Sequence, residues 1–210
     1  MSKVKFFVCG DTKAPQRIAG QDAGIDVFVP NISDALINDL QTLNAGHPYR
    51  WHIIGVPSDK EDENKGLFIC VGPGCDINIP TYLKAYIPSD EYLRVANKSG
   101  VCTKQKFIVG ADTIDSSYEG VIHIHLFNES NEMRMIELGQ KIAQLIPTKI
   151  NNEDIDVWYD SSIKGFSEFK NQTSVEDFYK GHDSVRKDSG FGSNYQDKKV
   201  ASEKTEAKNK

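Results

Sequence analysis

The chain has 210 residues, 39% of them hydrophobic, with 25 lysines and arginines against 30 aspartates and glutamates, a net charge of -5 and a pI near 5.6. That length supports one moderate core with insertions. The acidic balance gives no overall drive toward nucleic acid, so no direct nucleic-acid contact is expected and an anionic ligand needs locally placed donors.

Residues 1–11 hold a short apolar stretch that meets Gly10 and Asp11 too soon for a secretory core, and no run reaches membrane-spanning length. A cytoplasmic protein without membrane association is expected. Strand-forming runs come at Lys5–Val8 and 25–29, followed by helical spacing of Leu36, Ile37, Leu40 and Leu43 behind a Ser33 cap. Residues 58–66 are charged and turn-rich, a solvated loop tip. Phe107–Val109 and the alternating 121–127 are further strands, and 175–180 is a short helix between Ser174, with Asp177 three residues on, and Gly181. The composite is an all-β sandwich or barrel, with helices confined to inserted stretches.

Other residues admit two readings. Cys9, Cys70, Cys75 and Cys102 lack CxxC spacing, which favours free thiols over disulfides or a zinc site. His123 and His125 share a strand face and invite a metal reading, but two-residue spacing leaves satisfied interior or interface histidines as the default. Trp158, Tyr159, Phe166, Phe169, Phe178 and Tyr179 crowd one stretch and need somewhere to pack, either on the parent core or on a protein partner.

Five blocks stand in a particular order: Ala23-Gly24-Ile25-Asp26, Lys98-Ser99-Gly100-Val101, Val109-Gly110-Ala111-Asp112-Thr113-Ile114-Asp115-Ser116-Ser117-Tyr118-Glu119-Gly120, Gly139-Gln140-Lys141-Ile142-Ala143-Gln144-Leu145, and Arg186-Lys187-Asp188-Ser189-Gly190-Phe191-Gly192-Ser193. Together they resemble the trimeric dUTPase family, in the manner of a viral or phage-type member with insertions. The resemblance implies a distorted jelly-roll, or β-clip, domain over 1–195, assembled as a homotrimer. Two insertions, about 32–75 and 151–182, carry the short helices; an arm occupies about 183–195. The tail 196–210 is too polar to offset its ordering entropy and is expected to be disordered.

The resemblance also implies an activity, hydrolysis of dUTP to dUMP and pyrophosphate with Mg²⁺ as cofactor. Asp115 matches the general base that directs a water at the α-phosphorus, and Tyr118 the ring that packs on deoxyribose and excludes a 2′-hydroxyl. Backbone around Val109, Gly110 and Ile114, in a hairpin, would read the uracil edge. Lys98, Ser99, Gly100 and Gln144 match phosphate-contacting positions, with Lys98 standing where the family has arginine, so a point charge replaces a planar fork. Arg186 would clamp the γ-phosphate, Phe191 stack on uracil, and Gly192 and Ser193 close on the phosphates. Asp26 either holds structure beneath the base or meets outer-sphere waters of magnesium. Two rivals remain: a dCTP deaminase of the same fold, which needs a glutamate where His125 stands, and a regulatory protein that contacts a macromolecular partner through the 151–182 insertion.

Overall fold

The computed structural model describes residues 3–46, 50–56, 66–151, 156–162, 171–178 and 180. The charged stretch 58–65, the arm with Arg186, Gly190, Phe191, Gly192 and Ser193, and the tail 196–210 lie outside the described residues. The chain divides into two compact units, Met1–Asn152 and Glu153–Lys210.

Among the described residues of the first unit, antiparallel strands make up four small sheets. Strand β2 (Ile25–Phe28), β12 (Lys141–Lys149), β7 (Glu91–Asn97) and β9 (Thr113–Ile114) lie side by side in that order. A second sheet runs β5 (Asp76–Pro80), β10 (His123–Asn128), β8 (Phe107–Val109), and a third runs β11 (Arg134–Glu137), β4 (Leu67–Val71), β3 (Trp51–Gly55). Strands β1 (Lys5–Val8) and β6 (Leu83–Tyr86) pair as a ribbon. Alternation along these strands delivers one face inward: Ile77 and Ile79 of β5, Ile124 and Leu126 of β10, and Leu93 and Val95 of β7 are all buried in a single core. The expected mostly-β sandwich is what forms.

Helix α1 (Asp34–Leu43) starts where its sequence signal placed it, with the Leu36 N–H donating to the Ser33 side-chain oxygen at 3.1 Å. It buries Leu36 and Leu40 in the core. Its C-terminus is fastened by Asn44, whose amide accepts from the Asn78 N–H at 2.8 Å and donates to the Asn78 carbonyl at 3.0 Å, as a neighbouring strand would. Much of the 32–75 segment is thus integral to the core. Strand β4 brings Ile69 and Val71 into it, and pairs with β11.

In the second unit, β13 (Tyr159–Asp160) pairs in parallel with β14 (Gln172–Thr173), and α3 (Val175–Phe178) follows Ser174, whose oxygen accepts the Asp177 N–H at 3.1 Å. The Trp158 and Phe178 rings, both about half exposed, meet at 6.4 Å between centroids with a 59° tilt.

Replacing Asn44 by alanine leaves the Asn78 N–H and carbonyl without these partners. We expect a loss of about 1–3 kcal/mol, measured by urea unfolding, with faster amide exchange at Asn78; unchanged exchange there would show that α1 is held by its leucines alone.

Candidate active site

Strand register lines up distant parts of the chain. On β2, β12 and β7, Asp26 stands opposite Gln144, and Gln144 opposite Ala96, so the first and fourth blocks form one row across the sheet. Lys98 lies two residues past Ala96, as the N-cap of the five-residue helix α2 (Ser99–Thr103). Val101 anchors that helix in the core while Ser99 and Gly100 stay exposed. A Cβ on Gly100 would meet nothing within 4 Å, so packing within this chain does not demand glycine there.

The row converges on the Asp26 carboxylate, which is 2% exposed. Lys98 Nζ and Gln144 Nε2 donate to Oδ1 at 3.0 and 3.1 Å. Lys141 Nζ approaches Oδ2 at 2.8 Å as an ion pair whose alignment falls outside good hydrogen-bond geometry. Burial pushes the Asp26 pKa up, but the contacts with Lys141, Lys98 and Gln144 outweigh it and hold the carboxyl below its ordinary value. Asp26 is therefore an anion at neutral pH. The two lysines, each about a quarter exposed, carry one charge more than it neutralises.

Lys141 reaches Asp26 through a register shift between Lys141 and Ala143, an irregularity that interrupts simple alternation and leaves both Ile142 and Leu145 fully buried. Its ammonium also lies 5.8 Å from the Phe28 ring centroid. Gly24 closes the group from the other side. A Cβ there would stand 2.8 Å from Gln144 Cβ and Cδ, so glycine is the condition for Gln144 to lie against the first block.

The third block begins beside this group and turns away from it. Strands β8 and β9 belong to different sheets instead of pairing with each other as a hairpin: β8 pairs with β10, β9 with β7. Residues 110–112 form the corner between them, the usual way a strand changes sheets in a sandwich. Three bonds fix the corner: Val109 N–H to Asn97 Oδ1 at 2.8 Å, Gly110 N–H to the His125 carbonyl at 3.0 Å, and Val95 N–H to the Asp112 carbonyl at 2.8 Å. Ile114 is buried, and the exposed Asp115 follows it into a turn in which its carbonyl accepts the Tyr118 N–H at 3.1 Å. Tyr118, 40% exposed, lies over Gly120 and donates its hydroxyl to the Val121 carbonyl at 2.8 Å. It lines a cleft of about 390 Å³ with Ser116 and Glu119, facing Phe7 and Tyr86 of the β1–β6 ribbon.

Inside one chain the Asp115 end of the third block leads away from the Asp26 group. Ile114 pairs with Leu93, so the register continues Asp115 toward Tyr92, four residues along β7 from the Ala96 row. At strand rise that is roughly 13 Å.

A family model described as dUTPase matches residues 68–177, just over half of the chain. The chain belongs to the dUTPase family. Among curated relatives, the deoxyuridine 5'-triphosphate nucleotidohydrolase of Arabidopsis thaliana is 35% identical over 115 residues, 55% of this chain and 57% of that one, and its Debaryomyces hansenii counterpart is 31% identical over 116 residues, 55% and 71%. The chain spans about half the length of most of the curated relatives it matches. Of solved structures, the EIAV dUTPase superposes with a TM-score of 0.51 at 20% identity over 77% of this chain and all of that one. The Staphylococcus bacteriophage 80alpha dUTPase with dUPNHPP gives 0.57 at 17% identity, over 92% and 98%. At these identities the likeness is one of fold.

Within this dUTPase-family chain, the structure gathers Asp26, Lys98 and Gln144, joins Val109 to the neighbouring Asn97, and carries Ile114, Asp115 and Tyr118 away along β7. Arg186, Phe191, Gly192 and Ser193 lie outside the described residues. Sequence reasoning missed Lys141 and Asn97. Lys141 stood inside the quoted fourth block, but only the register shift turns it toward Asp26. His125 is paired, its Nε2 2.9 Å from Asp76 Oδ2. All four cysteines are free thiols.

Asp26→Asn leaves two ammonium groups facing each other and should cost about 3 kcal/mol at pH 7. Because the native pKa is lowered, the stability Asp26 supplies is present above its unfolded value of about 4 and is lost as pH falls through the native one. The gap between wild type and variant in urea unfolding should therefore narrow below about pH 4; a constant gap would mean the cost is not electrostatic. Gly24→Ala should destabilise by about 1–3 kcal/mol in thermal unfolding, since a clash with Gln144 Cβ is not relieved by rotating that side chain.

Proposed function

We propose that this protein acts in the cytoplasm, hydrolysing dUTP to dUMP and pyrophosphate, with its active sites completed between copies of the chain in a homotrimer. The observation that carries the reading is the two-part layout. A cationic group around Asp26 suits a triphosphate, a carboxylate–tyrosine corner suits the sugar and the attacking water, and the strand register separates the two within one chain. Exposed Phe7 and Tyr86 beside Tyr118 offer apolar surface for a neighbouring copy.

In this reading Asp115 accepts a proton from water as the oxygen attacks the α-phosphorus. The bond to the bridging oxygen breaks, and pyrophosphate leaves with the electron pair. Lys98, Lys141, Ser99, the backbone at Gly100 and the Gln144 amide spread donors around the phosphates, and Arg186, Phe191, Gly192 and Ser193 complete the enclosure from the arm. Tyr118 supports the deoxyribose and leaves no room for a 2′-hydroxyl.

Among the described residues no three His, Cys, Asp or Glu side chains converge on a point, and both Asp26 oxygens face lysines. Direct coordination by Asp26 does not fit. Mg²⁺ fits as an ion carried on the triphosphate oxygens, with Asp26 reaching its waters only if a lysine turns to the phosphates. When bound, it supplies charge neutralisation on the triphosphate.

The half-exposed Trp158–Phe178 pair favours a second role, binding a protein partner through 151–182. That role calls for a deletion of this segment that leaves turnover intact.

The decisive assay offers dUTP, dCTP, dTTP and UTP with magnesium to wild type and Asp115→Asn, and follows pyrophosphate. We expect release from dUTP alone, and a variant slowed by about 10²-fold or more. Equal rates for the two proteins would remove Asp115 from the chemistry, equal use of UTP would remove Tyr118 from sugar selection, and ammonia from dCTP would favour a deaminase.

A further inference from the structure

We propose that His125, braced by Asp76, is a positioning residue that sets nucleobase selection by holding the 109–114 corner in place. The inference rests on the reading that this corner meets the uracil edge. His125 is the cross-strand neighbour of Gly110, one step along from the Leu126–Val109 pair, and its carbonyl takes the Gly110 N–H. Its ring occupies the space a side chain at Gly110 would need: a Cβ there would fall 2.0 Å from Nδ1 and 2.6 Å from Cε1. An aromatic ring laid over a cross-strand glycine covers otherwise open backbone and fixes the spacing of the two strands.

The ring has little freedom to yield. Its Nε2 is held 2.9 Å from Asp76 Oδ2, on the adjoining strand β5, and Arg50 Nη1 lies 3.6 Å from the other Asp76 oxygen. Rotating the imidazole away from Gly110 breaks the Asp76 contact. One residue thus grips the start of the corner by main chain and side chain together, and the corner's backbone donors and acceptors take their positions from it. Uracil and cytosine differ by the exchange of a donor and an acceptor. Backbone that pairs with one mismatches the other only while its position is held to a fraction of an ångström.

The test uses full-length wild type, His125→Ala, His125→Gln, Gly110→Ala and the Gly110→Ala/His125→Ala double variant, each checked for folding by circular dichroism and melting. Base contacts are made equally in the ground and transition states, so their loss appears in KM. We expect His125→Ala to raise KM for dUTP about tenfold with kcat changed less than about threefold, and to cut the preference for dUTP over dCTP by about tenfold. His125→Gln, which can still donate to Asp76, should recover most of both. Gly110→Ala should lower the melting temperature and raise KM, and the double variant should be better than Gly110→Ala alone in both, because the vacated ring space admits the methyl group. Wild-type KM and base preference in His125→Ala, or strictly additive effects in the double variant, would overturn the inference while leaving the proposed function standing. A wild-type protein that releases no pyrophosphate from dUTP would remove the proposed function and this inference with it.

Discussion

A single buried carboxylate organises half of the candidate site. Asp26 sits almost wholly out of water, where an isolated charge would be unsustainable, and it survives there because Lys98, Lys141 and Gln144 arrive from two other parts of the chain. The dependence runs both ways. Without the anion, two ammonium groups would face each other across the end of the sheet. With it, they are held in place as a group of net positive charge, ready for a more highly charged partner. Strand β12 supplies two of the three contacts, and the irregularity at its start aims Lys141 while keeping Ile142 and Leu145 in the core.

Glycine plays an unusual part in the motif blocks. Gly24, Gly110 and Gly120 each have their missing side chain replaced by a neighbour: Gln144, His125 and Tyr118 respectively. These positions act as sockets. Each brings together two residues from different blocks or strands, or folds a ring back onto its own turn, so the glycines fix side chains where a flexible-hinge reading would have freed them. Asp115 and Tyr118, both exposed, stand just before the Gly120 socket, on a turn carried by the short strand β9.

Much of this was legible in the sequence because it is local. The strands at Lys5–Val8 and Phe107–Val109 appear with the bounds expected of them, the strand at 121–127 is shifted by one or two residues, and Ser33 caps α1 because the hydroxyl lies three residues before the N–H it serves. What stayed hidden depends on partners far apart in sequence. The corner at 110–112 resembled a hairpin because both kinds of turn use the same small polar residues, and only the sheet assignments of β8 and β9 separate them. The segment 32–75 reads as an insertion by length, and its packing was not legible: β4 lies in the core and pairs with β11, which spacing between motifs does not reveal. Lys141 was one lysine in a motif until register turned it toward Asp26.

The clasp between Asn44 and Asn78 has a consequence beyond fastening a helix. Among the described residues β5 is the terminal strand of its sheet, with no strand paired to its outer row of amides and carbonyls, which could recruit a stray chain. By occupying that row at Asn78, Asn44 at the end of α1 also shields it from edge-to-edge aggregation. Helix α1 thus guards solubility at a margin where a sandwich is exposed to misassociation.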